Sequence, residues 1–150
     1  MLVLGMQVTT RNKRRNVLGV ILNSADDSVV AKIEHVSAPS HKEAMEAREA
    51  RDSIASALRA HAVSAAVLFE ADYHPQLKVT DGTKSRLRLE GACLAACREV
   101  ITVVEVMNGP ELGKACGGKK EDALHAAKSL GVEVKLVEAA AAALAAKSLI

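Results

Sequence analysis

Residues 2–8 read Leu-Val-Leu-Gly-Met-Gln-Val and residues 16–22 read Asn-Val-Leu-Gly-Val-Ile-Leu, separated by a polar run that carries Arg11, Lys13, Arg14 and Arg15. Each apolar run is short enough for a strand and too uniformly apolar for a surface helix, so residues 2–10 and 16–23 are expected to be buried strands. A short polar link can join only antiparallel neighbours, because a parallel pair needs a crossover of roughly a dozen residues or more. The repeated Val-Leu-Gly is therefore two arms of a hairpin that use similar residues. Residues 24–27 mark a second turn. Residues 28–36 then alternate, with Val29, Ala31 and Ile33 on one side and Val30, Lys32 and Glu34 on the other, as in a half-exposed strand. A three-stranded antiparallel meander opens the chain.

The rest of the sequence alternates between helix and strand. Ser40 followed by Glu43 is a capping-box pattern for a helix with Ala47, Ala50, Ile54, Ala57 and Leu58 inward. Its wet face would be Glu46, Arg48, Glu49, Arg51 and Asp52. Residues 63–70, VSAAVLFE, read as a buried central strand that ends in an acid. Residues 71–84, with Pro75 and Asp81-Gly82, are expected to be a loop. A helix rich in small residues follows at 85–99, then a fifth strand at 100–106. Asn108-Gly109-Pro110 is a turn that places Pro110 at a first helical position, and Gly117-Gly118 breaks that segment. A helix at 119–130 closes on Gly131, and an Ala-rich helix at 138–149 ends the chain. The expected order is β-β-β-α-β-α-β-α-α.

Composition bounds the function. One hundred and fifty residues, 49% hydrophobic and 25% charged, suit one folded domain spanning 1–150. One Phe, one Tyr and no Trp leave Ala, Val, Leu and Ile to build the core. That scarcity argues against an aromatic platform for single-stranded bases. A net charge of +2 does not by itself imply a nucleic-acid partner. No run approaches the roughly 18 apolar residues of a membrane span, and residues 2–6 lack a cationic lead and cleavage site; a cytoplasmic, non-membrane protein is expected. Cys93, Cys97 and Cys116 are odd in number and read as buried small hydrophobes rather than metal ligands. His35, His61 and His125 show no ligand spacing, and only His74 falls near the loop after Glu70.

The element order and several short motifs resemble the ribonuclease H-like fold, in its RuvC-type branch of Holliday-junction resolvases. The first strand of that branch reads like ILGID, against Val3-Leu4-Gly5-Met6-Gln7 here. Its fourth strand ends in a glutamate, as this one does at Glu70, and its next helix has a small-residue core like Glu90-Gly91-Ala92. A proline and lysine-bearing segment follows the fifth strand, matched by Gly109-Pro110-Glu111-Leu112-Gly113-Lys114. Gly117-Gly118-Lys119-Lys120-Glu121-Asp122 echoes the helix start beyond it, and Ala141-Ala142-Ala143-Leu144-Ala145 echoes the last helix. The resemblance implies an α/β, mixed five-stranded sheet: β1-β2-β3 an antiparallel meander, with β4 and β5 parallel to β1 and helices flanking.

It also implies a nuclease that holds two Mg²⁺ or Mn²⁺ ions in a carboxylate cluster. Here the chain departs from the pattern. Gln7 stands where the resemblance calls for a metal-bridging aspartate and Ala142 where it calls for another, so Glu70 alone survives. Hard divalent cations need anionic oxygens, and the expectation is a degenerate site with no metal or other cofactor. Asp72 and Glu138 are the possible substitutes, and an active nuclease with that rearranged acid set remains the alternative. So does an unrelated α/β small-molecule or protein-interaction module. Structured DNA or RNA is the partner class implied, with a homodimer possible. Phosphates would meet Lys84, Arg86 and Arg88 before the second helix's core, or Lys114, Lys119 and Lys120 around the double glycine, whose backbone N–H groups would add to the site. The hairpin-loop cations form a third cluster.

Overall fold

The hairpin pairs as its residues demand. In the computed structural model, which describes residues 1–11, 14–38, 42–70 and 79–150, β1 (Leu2–Arg11) and β2 (Arg14–Asn23) run antiparallel, with Gly5 opposite Val20 and Met6 opposite Gly19. β3 (Val29–Val36) pairs antiparallel with the far side of β2. The turn before it places Asp27 at φ 58°, a left-handed position that a short polar side chain tolerates. β4 (Val63–Phe69) lies parallel to β1 and β5 (Val103–Met107) parallel to β4, giving the sheet order β3-β2-β1-β4-β5.

Alternate residues of β1 face opposite layers. Leu4, Met6 and Val8 meet α1 (Glu43–Ala60) and α2 (Asp81–Arg98) through Ile54, Leu58, Leu89, Cys93 and Cys97. Val3 faces the other layer, formed by α3 (Gly109–Ala115), α4 (Lys120–Ser129) and α5 (Val137–Ala146). Short 3-10 turns at Val134–Leu136 and Lys147–Leu149 flank α5. The Ala-rich composition has a purpose here, because α5 lies with its backbone directly on β1. A Cβ added at Gly5 would sit 2.0 Å from Ala143 N and 2.1 Å from Ala139 O. Only a glycine opposite a run of alanines allows that approach.

The structure departs from the sequence-based expectations at several places. Three helices follow the fifth strand rather than two, since Asn108 caps a separate short α3: its side chain accepts from Glu111 N while Glu111 Oε2 accepts from Asn108 N. That helix starts at Gly109, so Pro110 is its second residue. The fifth strand starts at Val103, not at residue 100, because Val100 and Ile101 close α2 by donating their N–H groups to Cys97 O. Asp81-Gly82 begins α2 instead of belonging to a loop, since Thr80 Oγ1 accepts from Thr83 N. α1 begins at Glu43 with Lys42 as its N-cap; Glu43 reaches Ser85 and Arg88 of α2 rather than a capping partner, and Ser40 lies outside the described residues. Glu46, expected on the wet face, is buried against Arg15 of β2, whose Nε donates to both carboxylate oxygens at 2.9 and 3.0 Å.

Candidate functional site

The parallel register pairs Gln7 with Phe69, so Gln7 and Glu70 stand at the same edge of the sheet, at the C-terminal ends of β1 and β4. Gln7 is buried on the α5 side. Its Nε2 donates to Lys135 O at 3.0 Å, which ties β1 to the turn that feeds α5. Ala142 is fully buried over Gly5 and offers no donor atom to a metal. Glu138, one turn earlier, is half-buried and lines a small cavity of about 190 Å³ together with Gln7, Thr9, Phe69, Arg86 and Lys120.

That cavity holds more positive than negative groups. The Lys120 ammonium sits 5.0 Å from the centre of the Phe69 ring, a cation–π distance. Arg86 donates to the buried Glu90 at 2.9 Å. Burial pushes the Glu90 carboxyl up, the Arg86 hydrogen bond and charge pull it down, and the nearby Glu70 charge pushes it up again, leaving it above its ordinary value. Among the described residues no three His, Cys, Asp or Glu side chains gather as a metal-binding group. The amide, methyl and cations at Gln7, Ala142, Arg86 and Lys120 are a donor set that does not fit a pair of hard divalent cations. Asp72, Tyr73 and His74 fall outside the described residues.

The basic clusters separate cleanly by their partners. Lys84 lies 3.8 Å from Asp81, Arg86 is bound to Glu90, and Arg88 is bound to Glu43, so each cation opening α2 has its own acid. Lys114 and Lys119, by contrast, are exposed and have no ion pair among the described residues. The glycines beside them are structural. Gly113 is pressed against the Lys119 backbone, where a Cβ would come within 2.4 Å of Lys119 C and Lys120 N, and Gly117 takes φ +81°. The backbone N–H groups expected to receive a phosphate are already used: Gly117 N donates to Lys114 O, Gly118 N to Gly113 O, and Lys119 N to Asp122 Oδ2. Any anion here must be met by lysine side chains.

The cysteines behave as small hydrophobes. Cys93 and Cys97 are free and buried; burial pushes both thiols up, that of Cys97 to about 12, and Cys97 Sγ lies 3.9 Å from Met6 Sδ. Sequence reasoning missed Lys135, whose contribution is a backbone carbonyl, and Glu46, which has the composition of a surface residue.

A meander of three antiparallel strands continued by two parallel ones, with helices on both faces, is the ribonuclease H-like fold in its RuvC-type form. The chain is similar to Thermus thermophilus RuvC in complex with a Holliday junction substrate, at a TM-score of 0.74 and 18% identity, covering 97% of this chain and 91% of that one. A second Thermus thermophilus RuvC structure gives a TM-score of 0.72 and 16% identity over 97% and 92%. At these identities the likeness is one of fold. No protein-family model and no curated protein sequence matches the chain.

Proposed function

We propose that this chain is a RuvC-type domain that binds the phosphate backbone of structured nucleic acid through Lys114, Lys119 and Lys120 and does not perform two-metal cleavage. The observation that carries the reading is the use made of Gln7. Its Nε2 donates to Lys135 O, and the side chain offers only a neutral amide oxygen where a metal-bridging ligand must be an anionic carboxylate. Ala142 packed on Gly5 supports it, and so does the pair of cations lining the cavity between. The RuvC structure similar to this chain was solved with a Holliday junction, which makes a four-way DNA junction the first substrate to try.

Binding through three lysines is electrostatic and falls as salt rises, by roughly 0.9 in log–log slope for each phosphate neutralised on B-form DNA. Lys119→Ala and Lys114→Ala should each weaken junction binding and reduce that slope by about one unit, while Lys84→Ala changes neither. Mn²⁺ added to the bound junction should give no strand cleavage. Cleavage that depends on Mn²⁺ and disappears with Glu70→Gln would replace this reading with an active nuclease built on Glu70, Asp72 and Glu138. Glu138 in the cavity wall is what keeps that second reading specific.

A further inference from the structure

A second, larger cavity of about 860 Å³ opens on the same face of the sheet, on the β2–β3 side of Gln7. It is a groove. Its floor is Asn16 and Leu18 of β2, one wall is Val36 of β3, and the other is Leu124 of α4 with Val134 of the turn before α5. The groove runs over Thr9 to Arg11 of β1, Arg14 and Asn16 of β2 and Val36 of β3, beside Leu124 and Lys128 of α4.

Two properties define what would fit. The first is apolar. Val134 is 91% exposed and Val36 44%, the former an entire isopropyl group held in water at the groove's lip. Isolated apolar residues on a surface are ordinary, but here they converge with Leu124 on one concavity. The second property is charge. Lys135, inside the groove, is matched by Glu34 at 2.7 Å and Glu133 at 3.3 Å. Arg11, Arg14 and Lys128 also line the groove and have no ion pair among the described residues, against two lining carboxylates, Glu34 (paired with Lys135) and Glu138. At the floor, the buried Asn16 Oδ1 has no hydrogen-bond partner among the described residues.

Unpaired cations beside an aliphatic patch favour a peptide over a nucleic-acid strand, whose phosphates would meet the cations but leave Val36, Leu124 and Val134 uncovered. The bases of a single strand would also find no π face for stacking in the described lining. A peptide carrying carboxylates and aliphatic side chains has both complementary features. We propose that this groove docks an acidic, aliphatic-bearing segment of a partner protein, with its carboxylates on Arg11, Arg14 and Lys128 and its aliphatic side chains over Val134, Val36 and Leu124. This holds whether or not the lysines of the α3–α4 region bind nucleic acid.

The test titrates the full chain, uniformly labelled with nitrogen-15, with a synthetic peptide of repeating Glu-Leu units and follows the backbone amides. Saturable shifts should appear at Asn16, Val36, Leu124, Lys128 and Val134 and weaken as salt rises. Val134→Asp and Lys128→Glu, both at exposed positions, should leave the spectrum otherwise folded. Val134→Asp should weaken binding about tenfold or more, the equivalent of losing one buried valine. A matched Glu-Ser peptide should bind far more weakly. The proposal is overturned by absence of saturable binding, by equal affinity for the Glu-Ser peptide, or by shifts confined to Lys114, Lys119 and Lys120. It is also overturned if a junction oligonucleotide displaces the peptide and moves the groove amides itself, since the groove would then belong to nucleic acid.

Discussion

Replacing Gly5 with alanine should unsettle the whole layer that carries the candidate site. The new Cβ would lie 2.0 Å from Ala143 N, 2.1 Å from Ala139 O and 2.6 Å from the carbonyl carbon of Ala142, all of them backbone atoms of α5. No rotamer change can relieve a clash with backbone. α5 must therefore retreat by roughly 1.5 Å to reach an ordinary contact of ~3.5 Å. A gap of about 0.5–1 Å already forfeits a quarter to a half of the dispersion attraction at a contact. Here the loss falls on a helix whose buried residues include Val137, Ala139 to Ala143, Ala145 and Ala146. The cost should reach or exceed the upper end of the ~1–3 kcal/mol typical of overpacking. The same movement carries Lys135 O away from Gln7 Nε2. Urea unfolding read by circular dichroism measures the loss. Gly91→Ala is the matched control, because Gly91 lies within α2 with nothing within 4 Å of an added Cβ. There alanine should stabilise by about 0.8–1 kcal/mol through helix propensity alone. A Gly5→Ala variant within about 0.5 kcal/mol of the parent, the range of an ordinary surface substitution, would refute the close approach of α5 to β1.

Two further expectations concern stability. Burial raises the Glu46 carboxyl, but its hydrogen bonds and charge interaction with Arg15 outweigh that and hold it below its ordinary 4.5. A carboxyl depressed in the folded state contributes stability that is present above its unfolded pKa and is lost as pH falls through the folded one. Stability should therefore decline on acidification below about pH 4.5. Glu46→Gln should flatten part of that acid limb and cost about 1.5–3 kcal/mol near neutrality, measured by denaturant titration across pH; an unchanged limb would show that other carboxyls govern it. Arg98 donates to Thr102 O at 3.1 Å and Val104 O at 2.7 Å along β5, the outer strand of the sheet. Arg98→Ala should uncover those carbonyls and promote concentration-dependent self-association, seen by light scattering, and a variant as dispersed as the parent would exclude this guard on the edge.

The fold was legible because its signals are local and redundant. The apolar runs at both arms of the first hairpin, the short polar links and the alternation from Val29 to Glu34 each fix a strand and its direction independently. The ends of elements were less legible, for a common reason. Val100 and Ile101 are β-branched and apolar, so they read as strand, yet Ile101 is buried at the end of a helix. Glu46 reads as solvent-facing because nothing in its own helix announces Arg15, a partner 31 positions away. The cations opening α2 and those around the double glycine both read as phosphate contacts in sequence, and what separates them is whether an acid has reached them. Lys114 and Lys119 stand apart because nearby Glu111 and Asp122 turn their carboxylates to backbone N–H groups instead.

The site could be read in the sequence only through the resemblance, as departures from its acids at positions 7 and 142, and under the proposed function those two residues suit one another physically. An aspartate at position 7 would set a carboxylate against the Lys135 carbonyl, two acceptors face to face in a buried place. Acids near Glu70 and Glu138 would add like charges to an end of the sheet where Glu90 is already raised by burial. Such clusters strain a fold and persist where bound cations neutralise them. Under the proposed function there is no reason to maintain that strain. A glutamine turns the repulsion at Lys135 into a hydrogen bond, and alanine at 142 lets α5 settle onto Gly5 without a polar group to desolvate. Gln7 and Ala142 are thus coupled through α5: one holds its entry, the other its middle. Restoring a single carboxylate should therefore cost stability without creating a metal site, since each acid would lack both the partner acids and the room that α5 now occupies.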